Sequence, residues 1–250
     1  MKITINKDKR IGKVIFLVEG DVDEVEIITH IFHNVLNYTI HQYDKRKNKW
    51  TCLKNKKDKF SNVYIAPLQT PAIKNITSSS EHIDYLFKNL KQLNLQQDNC
   101  FTYFLFDRDR ESNKLTDVEN TVKLLRNSQD NGEEMNGLLL ISYPCSQAFL
   151  CNCLGVTCDI EDSKKLKCMA ESFSLKAINK GKIKDGCKYM LQSIKKMTGL
   201  DFSETDLDDF SALSLKILEN ENIKYRDEHK FHILSLIFVC LLDLGIIELN

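Results

Sequence analysis

This sequence lacks net charge: 35 basic side chains balance 35 acidic ones over 250 residues. Global charge therefore argues for no particular partner. A signal pattern is also missing, because Met1 to Arg10 is polar and charged and Lys13 leads directly into an apolar run. Nine cysteines without such a signal are expected as thiols in a reducing cytoplasm. No membrane segment is expected. The most apolar run, Phe231 to Ile247, is near the lower length limit and contains His232 and Asp243, which favours a buried helix. The pattern G-x-x-x-x-G-K-[ST] occurs nowhere, which excludes ATP hydrolysis through a P-loop. Tryptophan occurs once, at Trp50.

What is present is enough apolar material, 42% of the chain, to fill a core in one large domain or in a catalytic domain with an appendage. The charge is unevenly placed. Residues 1–100 carry 16 basic and 11 acidic side chains, whereas residues 201–250 carry 4 and 11. The front is basic and the tail acidic.

The chain is organised around KVIFLVEGDVDEVEIITHIF, Lys13 to Phe32. Val14 to Val18 is a β-branched apolar run too short for a helix, which predicts a strand buried on both faces. Glu19 and Gly20 stand where that strand ends, and Val25, Ile27, Ile28 and Ile31 resume at helical spacing. A carboxylate at the C-terminal end of a parallel strand faces the crevice where open α/β sheets bind ligands. Glu19, Asp21, Asp23 and Glu24 would repel one another there unless a cation sat among them. Acids in a first helical turn also serve as ordinary helix N-terminal residues, and that alternative stays open.

Phe101 to Phe106, FTYFLF, predicts a second strand that ends in acids, here Asp107-Arg108-Asp109-Arg110-Glu111. In extended backbone Asp107 and Asp109 project one way and the two arginines the other. Two strands ending this way could place Glu19, Asp107 and Asp109 around one hard cation.

VEGDVDE followed by LFDRDR resembles the TOPRIM domain family, in which one strand ends in Glu-Gly and a later one in Asp-x-Asp. The resemblance covers residues 11–155 as a catalytic domain with a basic insertion at about 44–60, leaving 156–250 as a helical C-terminal region. It implies an α/β fold of Rossmann-like kind, a mostly parallel sheet flanked by helices. It further implies Glu19, Asp107 and Asp109 as catalytic residues and Glu19, Asp23, Asp107 and Asp109 as ligands of Mg²⁺ or Mn²⁺, with Glu24 competing with Asp23. Ser142-Tyr143-Pro144-Cys145-Ser146-Gln147 is similar to the strand-end segment of stand-alone phage-defence TOPRIM nucleases of RloB/AbiL and PARIS-effector (AriB) type. Those relatives carry Glu where Gln147 stands, so one metal and two remain alternatives.

Between Tyr43 and Phe60 lies a lysine-rich tract that includes Lys45, Arg46, Lys47 and Trp50. Charge with an aromatic suits nucleic acid, and a solvated hairpin whose Trp50 packs on the domain is the alternative. Arg110 would either hold phosphate or pair with Glu111 at the surface. Strands are expected at Tyr38 to Tyr43, Asn62 to Ala66 and Leu138 to Ile141. Helices are expected from Ser80 to Leu95, from Thr116 with closure at Gln129 to Gly132, and from a Ser203-x-x-Asp206 cap to Leu218. Cys145, Cys151, Cys153, Cys158 and Cys168 cluster, but without C-x-x-C or a nearby histidine they read as small buried hydrophobes rather than a zinc site. His229 and His232 read as packing or surface residues.

The expectation is a Mg²⁺-dependent endonuclease acting on RNA such as tRNA, or on DNA. The resemblance implies the toxic effector of an antiphage system controlled by a separate ATPase, cytoplasmic, with a homo-oligomer compatible with the sequence. The competing class is a non-catalytic module that binds nucleic acid or a protein partner.

Overall fold

The structure is a computed structural model that describes residues 2–20, 22–42, 50–68, 73, 100–110, 113–129 and 137–250. The expected helix from Ser80 to Leu95 and residues Asp21, Lys45, Arg46, Lys47 and Glu111 lie outside the described residues.

The apolar run at Val14 becomes β2 (Lys13–Val18), preceded by β1 (Ile3–Ile5) and followed by helix α1 (Asp23–Thr29), which continues as a wider π turn over His30–Val35. Three strands follow, β3 (Tyr38–Gln42), β4 (Thr51–Asn55) and β5 (Asn62–Pro67). Next come β6 (Cys100–Asp107), α2 (Leu115–Leu124), β7 (Arg126–Asn127) and β8 (Gly137–Tyr143). The remainder holds α3 (Ala148–Leu154), α4 (Ser163–Ala170), α5 (Lys180–Thr198), α6 (Ser211–Glu228), β9 (Leu234–Ser235), α7 (Ile237–Asp243) and β10 (Ile247–Leu249).

These elements form an α/β fold whose sheet runs β3-β4-β5-β2-β6-β8-β7, with β9 added beside β8. Its centre is parallel, as expected, through the β5–β2, β2–β6 and β6–β8 pairs. The margins are antiparallel. Strand β2 is buried from Val14 onward, as is every residue of β8, which explains their unalternating apolar runs. Phe16 stacks on Tyr103 at 5.3 Å and tilts against Phe32 at 5.9 Å, fastening β2, β6 and the π turn. Each such buried ring contributes about 1.5–3 kcal/mol.

The connections leave β2 toward β5 on one side and β6 toward β8 on the other. The crevice at a parallel sheet's C-terminal edge opens at such a divergence, here between the ends of β2 and β6.

Several element boundaries differ from expectation. Helix α2 ends at Leu124, not near Gly132, because Arg126 and Asn127 leave to pair with β8. Ser203 and Asp206 form the expected capping box, but it closes a short 3-10 turn, Glu204–Leu207, and α6 starts separately at Ser211. Phe231 to Ile247 is broken into β9, α7 and the start of β10, since Leu234 and Ser235 pair with Tyr143 and Ser142. Among the described residues no helix is long and apolar enough to cross a membrane.

Candidate active site

Glu19 follows β2 directly, and its backbone N–H donates to the Leu105 carbonyl, continuing the β2–β6 ladder. The Glu19 side chain then reaches across, and its Oε2 accepts the Asp107 backbone N–H at 2.9 Å. Both acids are thus fixed by adjacent parallel strands. Burial pushes the Glu19 carboxyl up to about 7, against the Asp107 N–H, with the charges of Glu24 and Asp109 adding to the rise. Asp107 stands well above the usual carboxylate range because it is buried and faces Glu24 and Glu19. Lys167 of α4 offsets part of the shift at both acids. Asp107 Oδ1 is buried with no hydrogen-bond partner.

The third acid here is Glu24. Its side chain is buried, and its Oε2 lies 2.9 Å from where a Cβ on Gly20 would stand. Glycine at that position lets the carboxylate close against the backbone. Burial raises the Glu24 pKa, with Asp23 adding to the shift. Asp23 itself turns elsewhere: its Oδ2 accepts from Gln147 Nε2 at 2.7 Å, and it lines a neighbouring groove with Gln147. Successive helical residues point about 100° apart, so α1 aims Glu24 at Glu19 and Asp107 and turns Asp23 away. Asp23 thus stands beside Gln147 rather than among Glu19, Glu24 and Asp107, and the amide at Gln147 has Asp23 as its partner.

The acids open into a cleft of about 430 Å³ lined by Glu19, Asp107, Asp109 and, from the C-terminal region, Lys167, Tyr225 and Phe231. Strand β6 stops at Asp107, so the alternation expected for the arginines ends there. The Asn113 N–H donates to the Asp109 carbonyl as the chain turns. Arg108 is buried and donates from Nη1 to the Asn113 carbonyl at 3.0 Å, while Arg110 comes round to the cleft and lies 4.1 Å over the Tyr225 ring. One guanidinium nitrogen of Arg110, Nη1, is buried and has no hydrogen-bond partner among the described residues.

No protein-family model, curated protein or solved structure matches this chain.

Of the residues singled out in the sequence, Glu19, Asp107, Asp109 and Arg110 line one cleft, and Glu24 stands against its acids. Trp50 does not: it is half-buried and packs against the main core, the packing alternative open in the sequence. Lys167 and Tyr225 were not visible to motif reading, because each is an ordinary residue on a distant helix that only the fold brings to the cleft. The cysteines divide. Cys145, Cys151 and Cys153 are buried, with Cys145 and Cys151 in a small cluster beside Leu166 and Ile233, and burial pushes the Cys151 thiol up to about 12. Cys158 and Cys168 are exposed, contrary to expectation, the first in the irregular segment between α3 and α4 and the second on the solvent face of α4. Of the two histidines, His229 packs edge-on against Tyr225, and His232 Nδ1 contacts Glu221 Oε1 at 2.6 Å.

All the acidic donors at the cleft are oxygens, the chemistry that Mg²⁺ and Mn²⁺ prefer. The orphaned Asp107 Oδ1 and the mutual repulsion of three carboxylates fit such a cation. Among the described residues, no three His, Cys, Asp or Glu side chains already stand at the spacing of a metal cage.

Proposed function

We propose that this chain is a TOPRIM-type endonuclease, dependent on Mg²⁺ or Mn²⁺, that cleaves a phosphodiester in RNA, such as tRNA, or in DNA. One observation carries the reading: Glu19 and Asp107 meet at the ends of adjacent parallel strands, with Asp107 Oδ1 buried and unpartnered. Carboxylates held this close destabilise the fold unless a cation or a proton offsets them. Glu19, Asp107 and Asp109 would hold the metal, which when bound polarises a phosphate and readies a nucleophile.

The chain's own residues supply the rest. Glu19, held against the Asp107 N–H at the cleft, takes the proton from the attacking water or hydroxyl. Arg110 offers its unpartnered Nη1 to a phosphate oxygen. Lys167 adds positive charge against the acids.

The role as a toxic antiphage effector and the control by a separate ATPase belong to this proposal and follow from the resemblance. A non-catalytic module that binds nucleic acid or a protein partner is the second reading.

The test is inducible expression of wild type and Asp107→Ala, with and without a neighbouring ATPase, followed by electrophoresis of total RNA and DNA. Discrete fragments seen with wild type and lost in the variant are expected, and they would identify the substrate. Intact nucleic acids under every condition, phage challenge included, would favour the binding module.

A further inference from the structure

The antiparallel margin of the sheet carries a second groove, far from the acids. Across β3, β4 and β5, Thr39 pairs with Lys54 and Lys54 with Asn62, while His41 pairs with Cys52 and Cys52 with Tyr64. Strand alternation puts these residues on one face. The groove on that face holds about 530 Å³ and is lined by His41, Lys54, Lys56, Lys59, Asn62 and Tyr64 among others, with no carboxylate.

The nearby acids are already engaged. Asp8 is tied to Lys57 at 2.8 Å, and Asp58 accepts from Ser61 Oγ and the Phe60 N–H. Lys54, Lys56 and Lys59 are exposed and, among the described residues, make no ion pair. Among the described residues no counter-charge joins these three lysines at the groove, which costs free energy until an anion arrives.

We propose that this groove binds the sugar–phosphate backbone of a nucleic-acid strand, an inference that deepens the nuclease reading and rests on it for the substrate class. The groove is concave and floored by strands, with the half-buried Tyr64 ring offering a flat face, and the Asn62 amide donates to the Lys59 carbonyl at 3.1 Å, tying that lysine's backbone to the groove. Lysine on phosphate and a ring for a base are the two elements of strand binding. A lipid surface would ask for a convex apolar rim, and here the exposed hydrophobics near the lysines are Phe60 and Ile40, the latter on the opposite face of β3 from Thr39 and His41.

Register gives the distance to the cleft. Tyr64 pairs with Ile15, four residues before Glu19, and Asn62 with Lys13, six residues before it. At about 3.3 Å per residue the groove lies about 13–20 Å from the Glu19 end of the sheet. A stacked strand rises about 3.4 Å per nucleotide, so the groove contacts the substrate about four to six nucleotides from the bond that is cut.

The test is fluorescence anisotropy of the full chain in EDTA with labelled single-stranded RNA, single-stranded DNA and duplex DNA over a salt series. Lys54→Ala/Lys56→Ala/Lys59→Ala is compared with Lys188→Ala/Lys196→Ala/Lys216→Ala, an equal charge change at exposed positions elsewhere. The groove variant is expected to bind about tenfold or more weakly, with a salt slope smaller by about 2–3, while the control binds as wild type. Lys56→Glu alone, at an exposed position, is expected to weaken binding in the same direction. Equal binding by the two triple variants, or wild type that binds anionic vesicles and no oligonucleotide, would overturn the proposal. The two readings fail separately. Groove-dependent binding without cleavage removes the nuclease reading alone, and a nuclease indifferent to the groove lysines removes this one alone.

Discussion

Glu19 accepts the backbone N–H of Asp107 at 2.9 Å, so an acid on one strand is positioned by the peptide that carries the acid of the next. A change at either residue therefore acts on both, and the choice of substitution decides whether chemistry or geometry is being tested.

Glu19→Gln keeps an acceptor for the Asp107 N–H and removes the charge and the proton acceptor. Cleavage is expected to fall by about 10²–10⁴-fold with the melting temperature unchanged or raised. A variant that cuts at the wild-type rate would remove Glu19 from the chemistry.

The metal-free protein should be most stable in mild acid. Glu19 has its folded-state pKa raised from 4.5 to about 7, and Glu24 and Asp107 shift the same way. A raised carboxyl contributes stability that is fully present below its unfolded value and lost as the pH rises through the folded one. The melting temperature in EDTA should therefore fall between about pH 5 and about pH 8, and Mg²⁺ should restore more of it at the higher pH. An equal Mg²⁺ effect at both values, or none, would count against cation binding among these acids.

His232→Ala leaves Glu221 buried without its partner at 2.6 Å. The loss should be about 3 kcal/mol near neutral pH. Burial raises the Glu221 pKa and His232 opposes the rise, so the variant should regain stability as acid protonates Glu221. Chemical denaturation of both proteins across the pH range gives the difference directly, and a pH-independent gap would contradict this assignment.

Gly186→Ala sets two effects against each other in the middle of α5. Alanine favours helix by about 1 kcal/mol. A Cβ at that position would stand 2.5 Å from the Phe238 ring and 3.1 Å from the Cys153 backbone nitrogen, and Phe238 is itself stacked on Phe149 at 5.1 Å. Overpacking costs about 1–3 kcal/mol, and here a backbone atom must move, so the melting temperature should drop. A rise would show that the contact between α3 and α5 yields easily.

Much of the frame could be read from residue pattern because its strands are buried on both faces. Val14 to Val18 and Phe101 to Phe106 are apolar without alternation, and the acids that end them mark where burial stops. Glu19 and Asp107 were legible for that reason. Glu24 against Asp23 was not decided, since the choice depends on how α1 is rotated about its axis. Trp50 was ambiguous because an aromatic beside lysines packs inward or stacks outward depending on a neighbour that sequence does not supply. The break at Leu234 escaped for a similar reason: a two-residue strand follows from a partner strand at Ser142 and Tyr143, and local propensity holds no trace of it.

The Asp243 carboxylate, on the last helix, accepts from the Tyr103 hydroxyl at 2.6 Å and also from Ser128 Oγ. A ribosome delivers residues 19 and 107 long before residue 243. The acids at the ends of β2 and β6 are therefore translated well ahead of the carboxylate that receives the buried Tyr103 hydroxyl on the same strand as Asp107. A nascent chain halted before α7 holds the acids but lacks the carboxylate that receives the Tyr103 hydroxyl on the strand carrying Asp107.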